Sequence, residues 1–245
     1  MSWSAPTDGV TRIQCWSGPR NISTALMYSW RQRSDTTVYD EPLYAHYLTI
    51  DDRGHPGVDE ILASQQRDAD DVISDVILGP SPTPVVYIKQ MAHHLRGVDR
   101  AHLAHTENIL LVRHPRDMLA SLSVQLPRCD IADTGLVESV ELLDAILAQG
   151  GDPVVIETQS LLRDPAGVLA AVSERVGLAF EPSVLNWPTG PKPEDGAWAP
   201  YWYDKVHASS GFVAPSRLPR ELPLRTQAVL DQALPLYERL AAYSL

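Results

Sequence analysis

The sequence predicts an α/β fold in which a mostly parallel five-stranded sheet has helices on both faces. Short runs of apolar and β-branched residues alternate along the chain with segments whose apolar residues recur at helical spacing. Runs that are apolar throughout are typical of parallel strands covered on both faces. With 245 residues, the chain is long enough for one large domain. We therefore expect a single three-layer domain over residues 1–245.

The first predicted strand, residues 13–16, breaks at a Ser-Gly-Pro-Arg-Asn turn, and a helix with regularly spaced apolar residues follows through Trp30. The remaining strands are predicted from β-prone runs at residues 36–39, 85–88, 109–112 and 154–156. Apolar periodicity, prolines at helix starts and glycines at helix ends predict further helices at residues 43–48, 58–78, 115–122, 134–149, 164–177 and about 224–243.

Two segments interrupt the alternation of strands and helices. Residues of about 55–80 predict a helical insertion of two surface helices, which ends at Gly79-Pro80. Residues of about 187–223 are irregular and rich in Trp, Tyr, Pro and Gly, and a loop this long in a compact domain is often a functional lid. Its aromatic side chains either line an acceptor pocket or pin the loop to the body. They are Trp187, Trp198, Tyr201, Trp202 and Tyr203.

Composition excludes several classes of protein. The formal charge of −11 and the pI near 5.1 argue against nucleic acid as a partner, so that a polyanion would need a local basic cleft. The two cysteines do not form a disulfide framework. Apolar segments are too short to cross a membrane, and the first nine residues are too polar for a signal peptide. We expect a soluble, cytoplasmic protein without a membrane partner, and the sequence leaves a homodimer open.

Chemistry is expected beyond the carboxyl ends of the parallel strands, where α/β sheets bind ligands. The loop after the first strand predicts an anion cradle, because backbone N–H groups at a helix start bind phosphate or sulfate. Its residues are Gly18, Pro19, Arg20, Asn21, Ile22, Ser23 and Thr24. The usual nucleotide-binding lysine is absent, and the cation is Arg20, whose guanidinium binds tetrahedral oxyanions by paired hydrogen bonds. The alternative is an ordinary turn capped by Ser23.

The other strand ends combine cations with acid–base groups. They are Asp40-Glu41, Lys89 with His93 and His94, Arg113 with its following helix, and Glu157-Thr158.

These residues resemble the sulfotransferases that use 3′-phosphoadenosine-5′-phosphosulfate. The first loop stands where that family binds the 5′-phosphosulfate, and Arg113 with Ser121 matches its Arg-x-Pro-x-Asp-x-x-x-Ser motif for the 3′-phosphate. Residues 155–165 are similar to a third conserved segment of the family. The resemblance covers roughly residues 11–215, and residues 16–30 with residues 40–48 are similar to a bacterial branch that is sometimes labelled aminotransferase-like.

The resemblance implies a P-loop-like sulfotransferase fold and transfer of a sulfuryl group from this donor to a hydroxyl of a small-molecule acceptor, without a metal. The product would be 3′-phosphoadenosine-5′-phosphate. Arg20, Ser23 and Thr24 would bind the 5′-phosphosulfate, and Arg113 with Ser121 the 3′-phosphate. Lys89 would stabilise the bridging oxygen. Residues that stand where the family has a basic turn over the 3′-phosphate are Ser209, Ser210 and Gly211.

Two positions depart from the family pattern. The catalytic His expected two residues after the strand-end lysine is Met91, so that His93, His94 and Glu41 remain candidates for the base. His93 ranks first because imidazole titrates near neutral pH without a large shift. The adenine-contacting Tyr of the family is Ile156, which leaves the adenine pocket undefined.

Three alternatives compete with a sulfotransferase. A P-loop kinase or NTPase lacks its loop lysine here and leaves Arg113 and Ser121 unexplained. A catalytically inactive nucleotide-binding module would explain Met91. A metal site is disfavoured because adjacent histidines on a helix or turn point apart. Its ligands would be His93, His94, His102 and His105.

Overall fold

A computed structural model of the chain describes residues 3–51, 54–126, 128–213 and 222–245. Its sheet has five strands in the order β2-β3-β1-β4-β5, and each neighbouring pair is parallel. The strands are β1 (Thr11–Ser17), β2 (Thr36–Asp40), β3 (Val85–Met91), β4 (Glu107–Val112) and β5 (Val154–Glu157). The predicted α/β fold and parallel five-stranded sheet are confirmed, and all strand ends meet at one edge.

Helices cover both faces of the sheet. They are α1 (Ser23–Trp30), α2 (Tyr44–Ile50), α3 (Val58–Ser64), α4 (Ala69–Val72), α5 (Pro115–Gln125), α6 (Leu136–Ala148), α7 (Thr158–Arg163), α8 (Pro165–Arg175), α9 (Ala199–Trp202), α10 (Asp204–His207) and α11 (Gln227–Ala241). Helix α4 continues as a π-helical turn at Ile73–Ile77, and 3₁₀ turns occupy Ala92–Leu95, Arg100–His105, Ile131–Thr134, Pro182–Leu185 and Leu224–Thr226. Among the described residues, no helix has the length and apolar character needed to span a membrane.

The strands bury alternate side chains in two clusters, one on each face. Ile88 and Leu110 pack with residues of α6 and α11, whereas Tyr87 and Leu111 pack with residues of α1 and α8. This alternation follows from the two-residue period of a strand and explains why the runs predicted for β3, β4 and β5 are apolar throughout. The edge strand β5 is covered at its outer side by the C-terminal residues, since the Leu245 N–H donates to the Val155 carbonyl at 3.1 Å.

The late segment contains α9 and α10 rather than being irregular throughout. Trp187, Trp198 and Tyr203 are buried, which supports the role of pinning the loop to the body, whereas Tyr201 and Trp202 are exposed by 45% and 38%. Residues 214–221 of the predicted lid lie outside the described residues. A third buried cluster joins this segment to α2 and α3. The late segment therefore forms one wall of the strand-end edge.

Candidate active site

The loop between β1 and α1 has an unusual backbone. Arg20 and Ile22 both adopt left-handed conformations, with φ of 63° and 60°. For a β-branched residue such as Ile22 this is a true outlier, and such strain concentrates at functional sites. Two side-chain hydrogen bonds hold the loop: Asn21 Nδ2 donates to the Leu111 carbonyl at 3.0 Å, and Thr158 Oγ1 donates to the Asn21 carbonyl at 3.3 Å. The ends of β4 and β5 therefore fix the loop.

The N-terminus of α1 has no side-chain cap. Ile22 occupies the N-cap position, so the alternative of an ordinary turn capped by Ser23 is wrong. Ser23 instead lies inside the first turn, where it is buried, with Thr24 beside it. The first N–H groups of an α-helix lack intrahelical partners. An uncapped helix start of this kind is suited to an anion, and binding of an anion here stays a prediction.

Gly18 allows the loop to lie directly against the segment before α6. A Cβ atom on Gly18 would stand 2.3 Å from the carbonyl oxygen of Thr134, which real side chains do not tolerate. A Cβ atom on Gly135 would stand 3.1 Å from Gly18 Cα and 3.8 Å from His93 Nδ1. His93, which is half-buried, therefore flanks the loop, and Thr134 with Gly135 forms a wall that the sequence did not reveal.

Arg20, Arg113 and Ser121 converge beside the loop. Arg20 Nε donates to Ser121 Oγ at 3.1 Å, and Arg113 Nη1 donates to the Arg20 carbonyl at 2.7 Å. Arg113 follows β4, and Ser121 lies on α5, which begins at Pro115 with His114 as its cap. Arg20, which was predicted for the 5′-phosphosulfate, thus contacts Arg113 and Ser121, which were predicted for the 3′-phosphate.

Ser209, Ser210 and Gly211, which were predicted to close over the donor, form hydrogen bonds with another part of the late segment. Gly211 forms an antiparallel bridge with Asn186, the Ser210 carbonyl accepts from the Trp187 N–H at 3.0 Å, and Ser209 Oγ accepts from Trp187 Nε1 at 3.2 Å. The hydrogen bonds described for this turn do not join it to Arg113 or Ser121. Their role in donor binding stays a prediction. Ile156 is buried in the sheet core.

Lys89 lies at the end of β3 in a buried polar cluster with only 1% of its surface exposed. Its ammonium donates to Asp40 Oδ1 at 2.9 Å, to Tyr203 Oη at 2.9 Å and to Glu41 Oε1. Tyr203 Oη in turn donates to Asp40 Oδ2 at 2.7 Å and accepts from Trp198 Nε1 at 2.9 Å. Burial lowers the affinity of Lys89 for its proton, but the Asp40 and Glu41 carboxyls outweigh it and raise the lysine pKa well above its usual range.

Glu41 is both buried and strained. Its φ of 44° is left-handed, and its N–H donates to the Lys89 carbonyl at 2.8 Å, which fixes the side chain beside the β3 end. Burial is the main cause that raises the pKa of Glu41 to about 7, while Lys89 opposes the rise and Asp40 adds to it. A carboxyl that titrates near neutral pH is suited to general acid–base work.

The two adjacent histidines differ in environment. His94 is buried against the rings of Tyr44 and Tyr47, at centroid distances of 4.6 and 4.9 Å, and its Nδ1 stands 3.9 Å from Glu41 Oε2. Burial, together with His93 and Lys89, lowers the His94 pKa well below its usual value, so that this ring is neutral. His93 packs edge-on to Tyr47 and lies beside the loop between β1 and α1.

The other two histidines of the proposed metal site, His102 and His105, pair with backbone carbonyls. His102 Nδ1 pairs with the Asp99 carbonyl at 2.8 Å, and His105 Nε2 pairs with the Trp3 carbonyl at 2.9 Å. Within the part of the chain that the structure describes, no group of three or more His, Cys, Asp or Glu side chains is placed to hold a metal. The four histidines of that alternative are therefore not assembled into one ligand group in the described structure. A cavity of about 350 Å³ lies at the opposite edge of the sheet, near Thr106 and Asp152.

Comparison with known proteins decides the family. A model described as "Sulfotransferase domain" matches residues 11–244. The chain belongs to the sulfotransferase domain family. Two proteins of Arabidopsis thaliana, named branched-chain-amino-acid aminotransferase-like proteins 1 and 2, are 37% and 36% identical over 94% of this chain. The chain spans only 42% and 41% of their lengths.

A solved structure supports the fold. The sulfotransferase from Alicyclobacillus acidocaldarius superposes with a TM-score of 0.54 at 15% identity, over 95% of this chain and 94% of that chain. This likeness and the parallel sheet confirm the predicted P-loop-like sulfotransferase fold. Family membership also confirms the resemblance that the strand-end motifs indicated and makes a transferase activity the expected one.

Sequence reasoning missed two features of this edge. Tyr203 accepts a hydrogen bond from Lys89, which is 114 residues away in sequence. The sequence did not indicate which of the neighbouring aromatic residues would make this hydrogen bond. The contact between Gly18 and Thr134 is also long-range. Gly18 indicated that another part of the backbone comes close to the loop, but the sequence did not show that this part is Thr134.

Proposed function

We propose that the protein transfers a sulfuryl group from 3′-phosphoadenosine-5′-phosphosulfate to a hydroxyl of a small-molecule acceptor. The observation that carries this proposal is the convergence of Arg20, Arg113 and Ser121 beside the uncapped start of α1. A donor with a phosphate at each end of its ribose needs two neighbouring anion sites. The helix start and the arginine group supply sites of this kind.

In this proposal the N–H groups at the start of α1, with Ser23 and Thr24, bind the 5′-phosphosulfate. Arg113 and Ser121 bind the 3′-phosphate, and Arg20, which hydrogen-bonds Ser121, spans the two sites. Guanidinium groups suit this task because they offer paired donors and stay charged at any physiological pH. The same donors would stabilise the negative charge that develops on the leaving phosphate oxygen.

Glu41 is the base that the geometry favours. Deprotonation of an acceptor hydroxyl needs a group that is unprotonated at neutral pH yet basic enough to take the proton. The raised pKa of Glu41, its burial and its strained backbone meet this description, whereas the neutral His94 is buried against two tyrosine rings. His93 flanks the donor loop and stays the second candidate.

The donor is tested by calorimetric titration with 3′-phosphoadenosine-5′-phosphate, compared with ADP and with ATP plus magnesium. We expect the 3′-phosphorylated nucleotide to bind at least tenfold more tightly than ADP, because each charged contact is worth about 1.5–3 kcal/mol. Arg113→Ala should remove most of this preference. Arg175→Ala, which lies beyond the other edge of the sheet beside Asp152, is the matched control and should leave it intact.

Tighter binding of ATP with magnesium would favour a kinase or NTPase instead. Tight binding of the 3′-phosphorylated nucleotide without any transfer would favour an inactive nucleotide-binding module.

For the base, Glu41→Gln should abolish sulfuryl transfer while nucleotide affinity is retained. Full activity of Glu41→Gln together with an inactive His93→Gln would reverse the assignment.

A further inference from the structure

We propose that Lys89 does not contact the donor and is instead a positioning residue, held by Asp40 and Tyr203, that keeps the Glu41 carboxyl oriented and partly charged. The inference rests on the proposed function, because it assumes that Glu41 is the base. It replaces the expectation that Lys89 stabilises the bridging oxygen of the donor. Tyr203 and Asp40 thereby acquire a role that no motif of the sequence assigned.

The first argument is that the donors of Lys89 are fully used. An ammonium group has three N–H bonds and no acceptor. In this structure, the three partners of Nζ are Asp40, Glu41 and Tyr203, and each is within hydrogen-bond reach. With 1% of its surface exposed, Lys89 would have to break one of these bonds in a dry site before it could reach a phosphate oxygen.

The second argument is that Tyr203 is locked in the same geometry. Its hydroxyl accepts from Lys89 and from Trp198 Nε1 and donates to Asp40 Oδ2, so that every polar position of the phenol is occupied. Asp40 accepts an additional bond from the Gly196 N–H at 3.2 Å. The late segment thus places the Tyr203 hydroxyl and the Gly196 N–H at the ends of β2 and β3. These two groups fix the positions of Asp40 and of the Lys89 ammonium.

The third argument is electrostatic and concerns all groups that face Glu41. They are Asp40 on β2, Lys89 on β3, Tyr44 on α2, His94 on the 3₁₀ turn after β3, and Tyr203 before α10. His94 is neutral, and burial raises the pKa values of Tyr44 and Tyr203, so that both phenols are uncharged at neutral pH. Burial has the largest effect on the charge state of Glu41, and among these neighbouring groups the further effect comes from one cation, Lys89, and one anion, Asp40.

The test follows the Glu41 carboxyl directly and needs no acceptor. The protein is labelled with ¹³C at the glutamate side-chain carboxyl, the Glu41 resonance is assigned by its loss in Glu41→Gln, and its titration is followed by NMR. Lys89→Gln removes the cation and should move the midpoint up by about one pH unit or more, whereas the isosteric Asp40→Asn removes the anion and should move it down. Opposite shifts are not expected from general loosening of the site.

Affinity for 3′-phosphoadenosine-5′-phosphate, measured by calorimetry on the same proteins, supplies the second readout. This product carries the oxygen that leaves the sulfuryl group, so a lysine that contacts that oxygen would also bind the product. We expect Lys89→Gln and Asp40→Asn to bind it within about twofold of the wild type. Lys205→Gln and Asp204→Asn, which alter exposed residues of α10, are controls that should change neither affinity nor titration.

A loss of nucleotide affinity of about tenfold or more in Lys89→Gln would overturn the inference, as would titration shifts in the same direction for both variants. If Lys89→Gln does not fold, Asp40→Asn and Tyr203→Phe still decide it. Asp40→Asn must lower the midpoint, and Tyr203→Phe, which removes only the hydroxyl, must change it without weakening nucleotide binding. Failure of the wild type to bind the nucleotide would instead refute the proposed function, and the titration would still report how Lys89 and Asp40 act on Glu41.

Discussion

Replacing Glu41 with Gln should stabilise the protein at neutral and alkaline pH even though it removes the proposed base. Burial raises the Glu41 pKa from 4.5 to about 7 in the folded protein. Between these two pH values the folded state retains a proton that the unfolded state has released, so stability falls as pH rises. A shift of this size lowers the free energy of unfolding by about 3 kcal/mol above pH 7. Below the pKa of the unfolded state, this loss of stability is absent. Gln mimics the protonated carboxyl and avoids this loss.

The assay is thermal and urea unfolding of the wild type and Glu41→Gln at about pH 5 and about pH 8. For a chain of this size, about 3 kcal/mol corresponds to a rise in melting temperature of roughly 6–12 °C. We expect most of that rise at the higher pH and little at the lower one. Glu60→Gln alters an exposed side chain of α3 and should leave both values unchanged. A variant equally stable or less stable at the higher pH would refute the reasoning, because the ion pair with Lys89 would then outweigh the cost of burial.

Three further predictions concern the rest of the site. Gly18→Ala should lower affinity for 3′-phosphoadenosine-5′-phosphate by about tenfold or more, since its Cβ would displace the loop from Thr134, and unchanged calorimetric affinity would contradict this. Arg20→Ala should weaken binding of both ADP and the 3′-phosphorylated nucleotide by about tenfold or more. Weaker binding of only one of these two nucleotides would contradict the prediction. The proposed base implies that transfer is half-maximal near pH 7 and falls about fivefold at one pH unit lower, and a rate independent of pH over this range would exclude Glu41.

The sequence was sufficient for the layers of the fold and for the edge that carries the chemistry. Apolar runs predicted β3, β4 and β5 because a parallel strand covered on both faces leaves a continuous local pattern, whereas β2 was predicted from a β-prone run. The residues that follow those runs were expected at one edge for the same reason, and Glu41, Lys89, Arg113 and Thr158 do lie there.

Contacts between distant segments could not be predicted in the same way. The hydrogen bond from Arg20 to Ser121 depends on the left-handed backbone at Arg20. This conformation is uncommon for residues other than glycine, so it could not be predicted from an arginine at this position. The saturation of Lys89 depends on Tyr203, whose neighbours Tyr201 and Trp202 are aromatic but exposed. Ser23 looked like a cap because serine favours that position, yet Ile22 takes it. In each case, tertiary packing overrides a local preference.

Transfer of ³⁵S from labelled 3′-phosphoadenosine-5′-phosphosulfate to a panel of small hydroxyl compounds tests the central claim most directly. We predict a labelled sulfate ester, one 3′-phosphoadenosine-5′-phosphate released per ester formed, and no ester with Glu41→Gln, although that variant still binds the nucleotide. The same panel with γ-labelled ATP and magnesium should yield no labelled product. Transfer of phosphate from ATP, with no sulfate ester formed from any compound of the panel, would contradict the account.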